Sequence, residues 1–183
     1  MHYMAEDESK VVLSGSSPGL TAHGHPQHEF KLEPRTSYLI EESKPLLGLR
    51  LINQEIVRRR PALVITRQNP KRLRDKYNWG DVPIIWLTNN NLENEHCIDP
   101  TNLSRLSIEI INFTKNTNNG IIFLEGLEYL ISQNSYQFIL RFIQLINDKI
   151  MLSDCTFLVP MDPLILAERE LHLLERDMKV FEK

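Results

Sequence analysis

Cysteine is scarce in this chain. Cys97 and Cys155 are the only two among 183 residues, and they stand on separate segments. That rules out a disulfide framework and a CxxC metal site, and makes a reducing cytoplasm the expected compartment. No apolar run approaches the roughly 18 residues of a membrane span. The first residues lack the basic flank and apolar core of a secretory signal, so export is not expected. Charge of one sign is also missing. The net charge of −3 provides no global field to recruit nucleic acid or an anionic membrane. What is present is ordinary for a globular protein: 42% hydrophobic and 25% charged residues, enough for one domain with a substantial core.

Residues 1 to 35 differ from the rest. SGSSPGLTAHGHPQHEF is rich in Gly, Ser, Pro and His and shows no sustained periodicity, so it reads as a mobile, disordered N-terminal tail. VVLSG at 11 to 15 is too short and isolated to count as a strand. His23, His25 and His28 lack a fourth ligand, so no metal is expected on them.

From residue 36 to 183 the pattern alternates strand and helix within a single α/β domain. SYLIEE, PALVITR, VPIIWLT, GIIFLEG and CTFLVPMD are apolar runs with the length and β-branched content of strands. Helical patterns separate them: LLGLRLINQEIVRRR, NPKRLRDKYN, NLSRLSIEIINFTKNT and SYQFILRFIQLINDKI. A fifth, LAERELHLLERDMKVF, closes the chain. Leu103, Leu106, Ile110 and Phe113 share one face of the third helix. Five continuous apolar strands separated by helices imply a three-layer fold, a mainly parallel five-stranded sheet with helices on both faces.

Ligands of open parallel sheets bind beyond the carboxyl ends of the strands. The groups expected at that edge are Glu41, Glu42, Thr66, Arg67, Thr88, Glu125, Glu128, Tyr129 and Asp162. The acid at the tip of IIFLE is the sharpest of them, because an apolar strand that delivers a carboxylate can hold magnesium. It can equally end a strand, with Gly126 turning the chain, Leu127 and Leu130 packing inward, and Glu125 and Glu128 capping backbone or meeting arginines. That second reading is favoured.

A strand–helix series with an acid after its fourth strand resembles the RecA and KaiC branch of P-loop ATPases. That branch implies GxxxxGK[ST] after the first strand, whose amides and lysine cradle phosphates. Here the turn reads EESKPLLG, with acids where a triphosphate would sit and Pro45 after Lys44. The paired glutamates expected after the second strand are replaced by Thr66-Arg67-Gln68-Asn69. The resemblance is therefore to a degenerate relative without a P-loop. No cofactor, metal or catalytic residue is assigned.

In order along the chain, YLIEESKP, LVITRQNPKRLRDKY, IIWLT, IDPTNL, FLEGLEYLISQN, LVPMDP and ELHLLER are similar to an archaeal domain-of-unknown-function family. That family occurs alone and at the ends of euryarchaeal sensor and response-regulator proteins. The resemblance spans about residues 37 to 177. It implies an archaeal origin and a protein partner in signalling, and brings no established activity.

Other features carry lesser expectations. Arg58, Arg59, Arg60, Arg67, Lys71, Arg72, Arg74 and Lys76 face a single acid, Asp75, and form a candidate phosphate or nucleic-acid patch. No nucleic-acid motif accompanies them, and a solvated helix face is the favoured reading. Trp86 reads as core and His172 as exposed. His96 and Cys97 have no partner that would make a nucleophile. Leu164, Ala167, Leu171, Leu174, Met178 and Phe181 recur at spacings of three and four, a heptad seam. Its end, Leu171 to Phe181, suggests a homodimer through the C-terminal helix. The readings in order are a non-enzymatic interaction module, a nucleotide-sensing or weakly hydrolytic KaiC relative, and a nucleic-acid-associated protein.

Overall fold

The apolar runs assemble into one sheet, in which every recorded strand pair is parallel. The computed structural model describes residues 31 to 90 and 92 to 182. VVLSG and His23, His25 and His28 lie outside the described residues. The strands are β1 (Thr36–Glu41), β2 (Ala62–Thr66), β3 (Ile84–Leu87), β4 (His96–Ile98), β5 (Ile121–Leu124), β6 (Thr156–Met161) and β7 (Lys179–Val180). The helices are α1 (Leu46–Val57), α2 (Pro70–Tyr77), α3 (Leu103–Asn116), α4 (Leu127–Gln133), α5 (Tyr136–Met151) and α6 (Glu168–Asp177). The strand order is β4-β3-β2-β5-β6-β1-β7.

Alternation along each strand splits the core in two. Leu63 and Ile65, Ile122 and Leu124, and Phe157 and Val159 point to one face, where α3, α4, α5 and α6 cover them. Ala62 and Val64, Ile121 and Phe123, and Leu158 point to the other, under α1 and α2. Helices on both faces of a parallel sheet explain why the strands read as unbroken apolar runs. Side-chain caps start several helices: Asn69 accepts from the Arg72 amide and Asn102 from the Arg105 amide, at 3.1 and 3.0 Å. Tyr136 fastens α5 to α6 by donating to the Glu170 carbonyl at 2.5 Å. Burial, with Glu170 and Asp177 nearby, pushes its phenol up to about 12.

The sheet has seven strands where five were expected. β4 lies within the polar loop, and only Ile98 of its three residues is buried, so it carries no apolar run to read. Its pairing with β3, from Ile85–His96 to Leu87–Ile98, is what makes it a strand. β7 replaces the end of the expected closing helix. Met178 has extended torsions (φ −128°, ψ 146°), and Lys179 and Val180 pair with Tyr38 and Leu39 of β1. The Phe181 amide then donates to the Leu39 carbonyl at 2.8 Å.

That turn dismantles the heptad seam. Leu174 and Met178 are buried in the chain's own core, with Leu171 packed beside them. Phe181 meets Tyr38 edge-on at 5.8 Å. Leu164 lies in a 3-10 turn (Pro163–Ile165) before α6, pointing into solvent. The apolar spacing at this end thus serves packing within the chain. Residues 31 to 35, assigned to the tail by composition, join the fold. Leu32 packs on the α1 side, and the Thr156 hydroxyl donates to the Glu33 carbonyl at 2.9 Å.

Candidate functional site

The helices that follow the neighbouring strands β2 and β5 lie on opposite faces of the sheet, α2 on one and α4 on the other, so the chain winds away in opposite directions from this point. A crevice beyond the strand ends forms at such a point. Here it brings Thr66 and Arg67 up against Glu125, Gly126 and Tyr129.

Glu125 is held there through one carboxylate oxygen. Its Oε2 accepts from the Thr66 hydroxyl in a short hydrogen bond and from the Arg67 amide at 3.1 Å. Gly126 turns the chain with φ +111°, a torsion that favours glycine, although a Cβ there would meet that of Arg67 at an ordinary 3.4 Å. Leu127 and Leu130 are then wholly buried. Glu128 reaches across to β6, where its Oε1 accepts from the Asp162 amide at 2.9 Å. Asp162 caps the 3-10 turn through the Leu164 amide at 3.0 Å.

Arg67 is exposed, and its guanidinium lies 3.7 Å over the Tyr129 ring. Its carbonyl accepts from the Trp86 indole at 3.2 Å. Trp86 is only half-buried, a correction to its expected place in the core: it borders this crevice. Thr88 is buried, and its hydroxyl accepts from the Asn90 amide at 3.1 Å.

The turn after β1 shows what became of the phosphate position. Both oxygens of Glu42 accept backbone amides at the start of α1, from Leu47 and Gly48, each at 2.8 Å. A helix N-terminus favours an anion there, and the chain supplies its own. Gly48 permits the fit, since a Cβ would come to 3.0 Å from the Phe123 ring and 3.1 Å from Glu42. Between Glu42, Glu125 and Glu128 remains a hollow of about 30 Å³, room for about two waters. Glu41, turned toward α6, has Oε1 shielded from solvent without a donor. Burial, then hydrogen bonding to Glu175 and its charge, raises the Glu41 carboxyl above the usual range. Glu175 in turn meets His172 Nδ1 at 2.8 Å.

The basic residues do not converge. Arg60 is buried at the amino ends of the strands: it pairs with Glu55 at 2.9 Å, and donates to the Asn119 and Gly120 carbonyls at 2.9 and 3.3 Å and to the Thr156 hydroxyl at 2.7 Å. Arg58 also binds Glu55, and Arg74 binds Glu95, at 2.9 and 3.2 Å. Lys71 and Arg72 lie at the start of α2, the opposite end from Arg59. Lys76 lies 5.0 Å over Tyr77, which stacks on Trp79 at the same distance. Trp79 is buried with its indole on Asn53, so the aromatic pair is turned inward. Arg59 and Tyr77 line an open groove of about 620 Å³ there. Among the described residues, no group of three His, Cys, Asp or Glu could hold a metal ion, and no helix is long and apolar enough to cross a membrane.

Sequence reasoning missed the roles of Glu42 and Arg60. Glu55 was the available signal for the second, as an acid between apolar residues on the buried face of α1.

No curated protein matches the chain. A chain solved in the "Structural study of Project ID PH0250 from Pyrococcus horikoshii OT3" is similar in fold, with a TM-score of 0.56 and 13% identity over 81% of this chain and 82% of that one. Residues 41–178, which include the whole crevice, match the family described as Protein of unknown function (DUF835), and the chain belongs to that family.

Proposed function

We propose that the chain is a non-enzymatic regulatory or protein-interaction module of archaeal signal transduction. The observation that carries this reading is the Glu42 carboxylate seated on the Leu47 and Gly48 amides. A phosphate arriving at α1 would have to displace that carboxylate and meet its negative charge. The other strand-end acids, Glu125 and Glu128, are likewise bound to the chain's own amides and hydroxyl. The Arg67 guanidinium on Tyr129, bordered by Trp86, is the group this edge offers to a partner, and it suits a carboxylate or an anionic loop.

Two measurements test the reading. Calorimetry with ATP and magnesium should be flat, and a Kd below about 1 mM, near −4 kcal/mol, overturns the non-nucleotide assignment. Affinity purification from native extract, with the intact chain and with Arg67→Glu as paired baits, should recover a protein partner that the variant loses. Recovery of nucleic acid instead would favour the basic residues and sink the protein-partner reading.

A further inference from the structure

Helix α5 has two faces of different character. Ile139, Phe142, Ile143, Ile146 and Ile150 are buried against the sheet, as an amphipathic helix requires. Its outer ridge should then be polar, and it is not. Phe138, Leu145 and Leu152 are 60%, 41% and 85% exposed. Single exposed apolar residues need no explanation. These three, however, recur every seven residues, and over one heptad a helix ridge drifts by only about 20°. Four of the ten large apolar side chains exposed among the described residues lie on α5 or its C-cap, Met151 being the fourth. Arg141 and Asp148 are exposed on the same ridge, between the apolar positions at spacings of three and four.

We infer that the α5 ridge is the contact surface for a second copy of this chain, paired antiparallel about a two-fold axis through Leu145. The charges select that occupant and that direction. In an antiparallel pair centred on Leu145, Phe138 of one copy lies over Leu152 of the other. Arg141, four residues before the centre, then falls within a turn of Asp148, three residues after it, twice by symmetry. A parallel pair would set Arg141 on Arg141 and Asp148 on Asp148. The ridge is thus self-complementary in apolar shape and in sign, as an isologous two-fold contact must be. From Phe138 to Leu152 it spans about 21 Å, a single-helix interface below the roughly 1,200 Å² of standard complexes, so the dimer is a weak one that forms as concentration rises. The inference goes beyond the reading of the crevice and does not depend on it. Dimerisation leaves both the nucleotide and the Arg67 measurements unchanged.

Sedimentation equilibrium of the full chain from about 5 to 200 µM tests it. The intact chain should pass from monomer to dimer across that range. Leu145→Asp puts like charges on the axis and should weaken association at least about tenfold, without unfolding an exposed position. Arg141→Asp and Asp148→Arg should each weaken it too, and the two combined should restore it. A monomer at the highest concentration overturns the proposal. So does a dimer indifferent to Leu145→Asp, or a double charge swap no better than either single one.

Discussion

The two ends of the sheet are sealed by opposite charges. At the carboxyl ends of the strands, Glu42, Glu125 and Glu128 accept backbone amides. At the amino ends, Arg60 donates to backbone carbonyls beside its pairing with Glu55. The difference follows from backbone polarity. When parallel strands are joined by helices, helix N-termini and their free amides collect at one edge, and helix C-termini with free carbonyls at the other. An internal acid fits the first and an internal base the second. The same polarity makes the carboxyl edge of related sheets a ligand site, and here the chain's own side chains occupy it.

Breaking the amino-edge seal should cost most. Arg60→Met leaves Glu55 buried with only the half-exposed Arg58, and the loss should be about 3 kcal/mol by urea unfolding. Adding Glu55→Leu should recover much of it, because the penalty is an unpaired charge and not a missing contact. Next comes Glu125→Gln, which keeps the shape and weakens the bonds from Thr66 and Arg67. A loss of roughly 1 to 2 kcal/mol is expected, with the fold intact by circular dichroism.

Glu42→Ala should cost about 1 kcal/mol, the usual value of an N-terminal cap. A neutral result would mean that solvent serves the α1 amides as well as Glu42 does. The smallest effect has the opposite sign. Because the Glu41 carboxyl is raised, its neutral form is favoured in the fold; that contribution is full below the ordinary carboxylate range and is lost as pH rises through the raised value. Glu41→Gln should therefore be slightly more stable than the natural chain at pH 7 and equal to it near pH 4. Thermal melts across that window check it. Equal melting points at both ends would show that Glu175 and His172 compensate.

Much of this architecture was legible in the residues. The five long strands and most helices announce themselves because burial on both faces demands continuous apolar runs. The two short strands were hidden for a physical reason. His96 to Ile98 buries one side chain, and Lys179 with Val180 continues a helical spacing, so hydrogen bonds to β3 and β1 decide both against local pattern. At the crevice, the pairing of a strand-end glutamate with amides could be anticipated from Gly126 and the inward leucines. Glu42 could not, because its partners lie five and six residues on and depend on how Pro45 turns the chain into α1.

The edge strands carry a consequence for how the molecule behaves in a crowd. A sheet of seven parallel strands has two open rims, and an open rim is a template for aggregation. This one ends in strands of three and two residues, the latter carrying exposed Lys179. An incoming strand would find too few free amides and carbonyls to hold it, and a lysine to desolvate. Fibrous stacking along the sheet is thereby discouraged, leaving the helical faces as the surfaces through which copies can meet.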